Sequence, residues 1–380
     1  MVLSSTANAV TKNLKPRMSD ARPNVLARAA ADLFPGYFAL VMATGIISIA
    51  CFLLGMKTIS LVLLVINVVA YCALCVLLVV RLLFFFSRVK ADIQNHVRGP
   101  GFFTVVAGTC VLGSALLIVL DQYRPALVLW FAGVALWIVI MYTFFTAVTV
   151  SENKPSIEAG LNGGWLLAVV ATQSISVLGT LLISRHENYS QPVLFFTLCM
   201  FLLGCMLYLP LITLIFYRFT FVNVTMAALT PPYWINMGAV AITTLAGARL
   251  IIAAPGWSLL NELVPFLKGF TLFFWAAGTW WIPLLIALGF WRHVYKRFPL
   301  KYDPQYWGMV FPLGMYTVCT FQLANAINFP RLLVIPRYFV FMALAGWIAA
   351  SVGLLSTLLG SASGVGRKMN SAASHLKRSE

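Results

Sequence analysis

The residues able to carry out chemistry are few and marginally placed. The ten carboxylates (Asp20, Asp32, Asp92, Asp121, Glu152, Glu158, Glu187, Glu262, Asp303 and Glu380) all fall in tails, in loops or at the ends of apolar runs, and the four histidines do the same. Bond-making chemistry needs paired carboxylates, a nucleophile with its base, or a set of metal ligands. The apolar runs hold none, so the chain reads as a protein that is not an enzyme and takes neither metal nor cofactor. A proton-coupled carrier usually keeps a titratable relay inside the membrane, and none is visible here. All seven cysteines lie within apolar runs. Cys72 and Cys75 stand one helical turn apart with no histidine or carboxylate beside them, which makes them small packing residues rather than a metal or redox pair. What remains is Arg249, close to the end of an apolar run. It is a candidate contact for an anionic substrate, and the competing reading is that it snorkels to the outer interface.

Such groups must be positioned by membrane helices. Of the 380 residues, 61% are hydrophobic and 9% charged, and the mean hydropathy is +0.92. An ordinary soluble domain carries roughly 25% charged residues. Runs long enough to cross ~30 Å of hydrocarbon are predicted near 34–55, 60–86, 101–120, 125–150, 163–184, 192–216, 232–254, 263–290, 306–328 and 338–360. That organisation divides the chain into a basic N-terminal tail (1–32), a ten-helix transport domain (33–361) and a C-terminal tail (362–380) of disordered composition.

The formal net charge of +16 follows membrane topology rather than nucleic acid binding. With the N-terminus inside, nineteen of the twenty-six Lys and Arg fall on the inner side, the bias of cytoplasmic loops. Both termini are therefore expected to be cytoplasmic.

The odd-numbered runs open alike, with FPGYF at 34, GPGFF at 99, NGGWL at 162, PPYWI at 231 and PQYWG at 304. The even runs lack that pattern, so the repeating unit is a hairpin, and five hairpins predict a fivefold pseudo-symmetric bundle. Polar and small residues also concentrate in the odd runs: Thr44 and Gly45, Thr109, Thr172 and Gln173, Thr243 and Thr244. Polar groups avoid lipid, so odd helices are expected inside and even helices outside, with these residues lining a central pathway. Close helix packing is the alternative use for each of them singly. Five positive helix ends would converge at one cytoplasmic mouth and favour anions.

The opening helix FPGYFALVMATGIISIA, the segments GGWLLAVVATQSISVLG and INMGAVAITTLAG, and YWGMVFPLGMY near residue 306 together resemble the tellurite-resistance and dicarboxylate transporter family, which includes the slow-type anion channels of plants. The resemblance covers residues 34–360 and is to its bacterial members. It implies ten helices in five hairpins around a central pore, a homotrimer in the plasma (bacterial inner) membrane, and a phenylalanine that plugs the pore. That position is Phe311, followed by Pro312. The implied partners are the lipid bilayer and a small inorganic or dicarboxylate anion, carried by a gated channel or by a proton-linked dicarboxylate, sulfite or tellurite carrier.

Overall fold

The computed structural model describes residues 25–183 and 190–376. Lys12, Lys15, Arg17 and Arg22 of the basic tail, and Arg185 of an expected outer loop, lie outside the described residues. Ten long helices organise the rest: α1 (Ala39–Leu53), α2 (Lys57–Phe84), α3 (Phe103–Leu120), α4 (Tyr123–Val150), α5 (Leu167–Ile183), α6 (Ser190–Phe221), α7 (Ile235–Ala253), α8 (Val264–Phe290), α9 (Trp307–Ala326) and α10 (Val334–Leu376). Among the described residues, nine helices are long and apolar enough to cross a membrane. The exception is α9, whose 20 residues include Thr317, Thr320, Gln322 and Asn325. The protein is an all-α integral membrane protein.

The shared opening motifs have a structural meaning. Each becomes a 3₁₀ turn that feeds an odd helix: Pro35–Phe38, Gly99–Phe102, Gly163–Leu166, Pro231–Trp234 and Pro304–Tyr306. Proline suits this place because its fixed φ matches the first turn and its missing N–H would have no intrahelical partner there. The five turns touch in sequence and the last touches the first, so they close a ring. Two glycines permit that closeness: a Cβ on Gly101 would lie 2.7 Å from the Gly36 nitrogen, and one on Gly163 would lie 2.2 Å from the Pro232 carbonyl oxygen.

Above the turns the odd helices form a second closed ring, in the order α1, α3, α5, α7, α9 and back to α1. Each even helix packs outside, against its hairpin partner. Burial follows this split: in their most apolar stretches α1, α3, α5 and α7 are 78–89% buried, against 17–39% for the even helices. The bare hydrocarbon of the even helices faces outward, where lipid is the solvent.

Arginines close the base of three hairpins. Arg88 donates to the Ala31 carbonyl at 3.2 Å, Arg218 to that of Glu158 at 2.7 Å, and Arg292 to that of Leu229. Each carbonyl lies just before the turn that opens its hairpin, so the end of the outer helix is tied back to the start of the inner one. By charge counting alone these arginines are topology markers. At the far end of the chain, α10 continues to Leu376, through residues whose composition suggests disorder. Ala, Met and Lys are good helix formers, and extending a helix avoids the cost of nucleating one.

Candidate functional site

Two cavities lie on the axis of the ring, one at each end of the inner helices. The first, of about 430 Å³, opens where the five turns meet and is bordered by Gly36, Gly101, Gly164, Pro232 and Gly308, one residue from each hairpin. The five helix N-termini therefore converge on one mouth, each carrying part of a positive dipole end. Two of them are occupied from within: Asn162 Oδ1 accepts from the Gly164 amide at 2.7 Å, and Asp303 Oδ1 accepts from the Gln305 amide at 2.8 Å. Arg98 also borders this cavity. Its Nε lies 2.6 Å from Asp92, whose other oxygen is 2.6 Å from Arg81. Two guanidinium groups share one carboxylate, and Asp303, which also borders the cavity, sets a second negative charge beside them.

Tyr302 braces the same rim. Its hydroxyl accepts from Trp307 Nε1 at 3.1 Å, and its ring packs where Gly353 of α10 leaves room. Burial pushes its phenol up to about 12, so it stays neutral at physiological pH.

The second cavity holds about 30 Å³, room for on the order of two waters, and lies between the other halves of the inner helices. Its polar lining comes from Ser114, Ser174, Gln322 and Arg249, set among Ile46, Val111, Ile242, Val318 and similar apolar side chains. Arg249, expected either at the interface or in contact with an anion, is partly buried and borders this crevice.

Phe311 lies between the cavities. Gly308 borders the first and Met315 the second; spacings of three and four residues put Gly308, Phe311 and Met315 on one face of α9. Phe311 is fully buried. Counted from the opening turns, the same place is held by Met42 in α1, Ala107 in α3, Val170 in α5 and Gly238 in α7. Three of these are small, and one large ring occupies the level. A Cβ on Gly238 would lie 2.7 Å from Pro312 Cγ, so the bare backbone of α7 admits the bulge of α9. Pro312 itself lacks the N–H that would bond the Gly308 carbonyl, which weakens α9 at this level.

The threonines expected to line the pathway are placed otherwise. Thr44 Oγ1 accepts from Trp347 Nε1 of α10 at 2.9 Å, Thr109 Oγ1 meets the Tyr71 hydroxyl of α2 at 3.0 Å, and Thr172 Oγ1 accepts from Trp137 Nε1 of α4 at 2.9 Å. In each case the outer helix of one hairpin reaches the inner helix of the next. Gln173 Nε2 donates to the Phe201 carbonyl of α6 at 3.0 Å. Gly45 faces Asn67 of α2 and Val111 of α3. Thr243 and Thr244 bond the carbonyls of Ala239 and Val240, one turn back in their own helix. None of the seven borders either cavity. The hydroxyls of Thr44, Thr109 and Thr172 and the amide of Gln173 point into helix seams, which serves the same need to keep polar groups from lipid. Nothing in the spacing of Thr, Ser and Gln distinguishes a seam from an axis. The ten-residue alignment of the opening segments does carry a signal, because Thr44, Thr109 and Thr172 fall at one shared place.

A family model described as voltage-dependent anion channel (SLAC1) matches residues 32–355. An uncharacterized membrane protein of Mycobacterium tuberculosis is 40% identical over 154 residues, covering 40% of this chain and 77% of that protein. An uncharacterized transporter of Methanocaldococcus jannaschii is 25% identical over 78% of this chain and 85% of its own length. A sulfite efflux pump of Trichophyton rubrum is 21% identical over 84% of this chain and 89% of its own length.

Proposed function

The chain belongs to the voltage-dependent anion channel (SLAC1) family, whose role is anion transport, and on that premise we propose that it passes small anions through the middle of the inner ring, along a path closed by Phe311. The observation that carries this reading is the position of Phe311, a fully buried ring on the stripe of α9 that borders a cavity on either side. A bulky apolar side chain at such a level is a hydrophobic constriction of the kind that gates pores, and Pro312 supplies the weak point about which α9 yields.

Anions are drawn first to the five helix ends and to Arg98 at the mouth. Beyond the plug they meet Arg249, Gln322, Ser114 and Ser174, and the described residues that border this cavity include no carboxylate. This constellation, and not Thr44, Gly45, Thr109, Thr172, Gln173, Thr243 or Thr244, forms the lining of the path. The charge bias of the loops supports a cytoplasmic position for the first cavity and both termini, in the plasma membrane of a bacterium. Residues 33–361 form the transport unit, and family resemblance supports a homotrimer. The protein does no bond-making chemistry.

Reconstitution in liposomes tests the assignment. Phe311→Ala is expected to raise downhill chloride and nitrate flux, with no dependence on an imposed pH gradient; unchanged flux in a well-folded variant removes Phe311 from the gate. A second reading has a specific observation behind it, since relatives named sulfite efflux pumps align over 84% of the chain. Sulfite, tellurite or a C4-dicarboxylate would then be carried with a proton. Uphill movement of one of them driven by the pH gradient would select this reading.

A further inference from the structure

The end of α8 on the side of the larger cavity is irregular. Trp291–Tyr295 form a π turn, and a π turn inserts one extra residue and re-aims the side chains that follow. Beside it opens a groove of about 340 Å³ between α8, the turn that feeds α7, and the start of α9. Leu285, Leu288 and Gly289 of α8, Trp234, and Met309 of α9 make it largely apolar. Gly289 leaves real space, since a Cβ built on it meets no atom within 4 Å. Filling it with side chains is something the sequence does not do.

Basic residues stand close to the groove: Arg292 and His293 line it, and Lys296, Arg297 and Lys301, near them in the chain, are exposed. Residues 285–302 include no carboxylate, and Asp303 follows directly. Lys296 Nζ lies 5.7 Å from the Trp291 ring and 5.4 Å from the Tyr295 ring, the pairing of cation and aromatic that marks a membrane interface. Arg292 is spent elsewhere: it donates to the Leu229 carbonyl and stacks 4.4 Å from the centre of the Phe298 ring. An apolar slot with three exposed cations close by in the chain has the chemistry of one acyl chain beneath a phosphate.

We propose that this groove binds an anionic phospholipid, with an acyl chain along Gly289 and Leu285 and the phosphate at Lys296, Arg297 and Lys301. The binding stands independently of how the protein works. Its consequence for transport rests on the proposed role of Phe311, because Met309 lines the groove two residues before the plug. A chain seated there braces the first turn of α9, so occupancy biases the plug.

Native mass spectrometry of the full-length protein tests the binding, with phosphatidylglycerol and phosphatidylcholine of identical chains as probes. Wild type is expected to retain phosphatidylglycerol in preference. Neutralising Lys296, Arg297 and Lys301 to Gln should weaken that retention roughly fivefold per cation. Gly289→Trp should abolish it by filling the slot. Gly269→Trp, at the other α8 glycine with open space around it, controls for folding and should leave retention unchanged. Equal retention of the two lipids by wild type, undiminished retention by Gly289→Trp, or equal loss with Gly269→Trp would each overturn the site. A lower oligomeric mass with unchanged lipid would overturn it too, by making the groove a contact between copies. If binding holds but phosphatidylglycerol leaves anion flux in vesicles unchanged, the coupling to α9 is refuted and the site stands.

Discussion

The two halves of the inner ring, on either side of Phe311, are built by different rules. On the side of the opening turns the chain repeats itself in five 3₁₀ turns and five helix starts. Past the level of Phe311 the repetition is partial: Thr44, Thr109 and Thr172 share one place two residues beyond it in three of the five segments, and among the polar residues that border the second cavity no residue type recurs at one place. Arg249 comes from α7 alone and Gln322 from α9 alone. Even the seams lose their regularity: Val240 and Leu313 stand where the other helices have threonine, Trp275 of α8 finds Thr320 of α9 instead at 3.1 Å, and among the described residues no such bond crosses from α6 to α7. Repetition builds the scaffold and its mouth, while the departures from it supply the residues proposed to select and gate.

Five substitutions, with a sixth to close a cycle, bear on that contrast. The largest effect is expected at the boundary itself, where Phe311→Ala should raise chloride flux roughly tenfold or more, the result of removing about 1.4 kcal/mol of barrier. Met42→Ala, at the same level in α1, should change it far less; equal effects would make the level symmetric and dissolve the distinction. Next, Arg249→Gln should lower anion flux by roughly tenfold, the lower end of what a charge in a narrow low-dielectric cleft contributes to encounter. Intact flux, for inorganic anions and for malate alike, would leave the irregular half without a role. In the repeating scaffold the effects are on stability. Asp303→Ala removes the cap of the turn that feeds α9 and should cost about 1 kcal/mol, measured as a lower unfolding temperature in detergent. Smallest is Trp137→Phe, which deletes one seam bond to Thr172. Such bonds in membranes average about 0.6 kcal/mol, and a double-mutant cycle with Thr172→Val reads the pair directly.

The regular half was the legible one. Proline or glycine followed by an aromatic residue marks the hairpins, because the first turn of a helix that starts at a crowded ring admits little else, and the contrast in polarity between Thr-rich and Leu-rich runs separates inner from outer helices. Direction within an inner helix was not legible. Thr44, Thr109 and Thr172 are polar, buried and helical whether they face the axis or a tryptophan on the neighbouring hairpin, since both faces of such a helix are covered by protein and the usual amphipathic stripe is missing. The arginines misled for the opposite reason. Their charge alone places Arg88, Arg218 and Arg292 at the inner side, so it cannot reveal that each also ties a hairpin shut. The role proposed for Phe311 has only family resemblance behind it in the sequence: an apolar residue beside a proline has no signature that separates a plug from packing.

The bond from Trp347 to Thr44 spans 303 residues. During synthesis at roughly 5–20 residues per second, Thr44 is made some 15 to 60 seconds before its partner exists. For that interval α1 has one flank of the ring exposed, and its hydroxyls must be sheltered by the translocation machinery, by lipid headgroups or by α2 alone. A ring whose first and last members close it cannot mature piece by piece, and the last hairpin serves as the checkpoint that decides whether the other four were inserted in register.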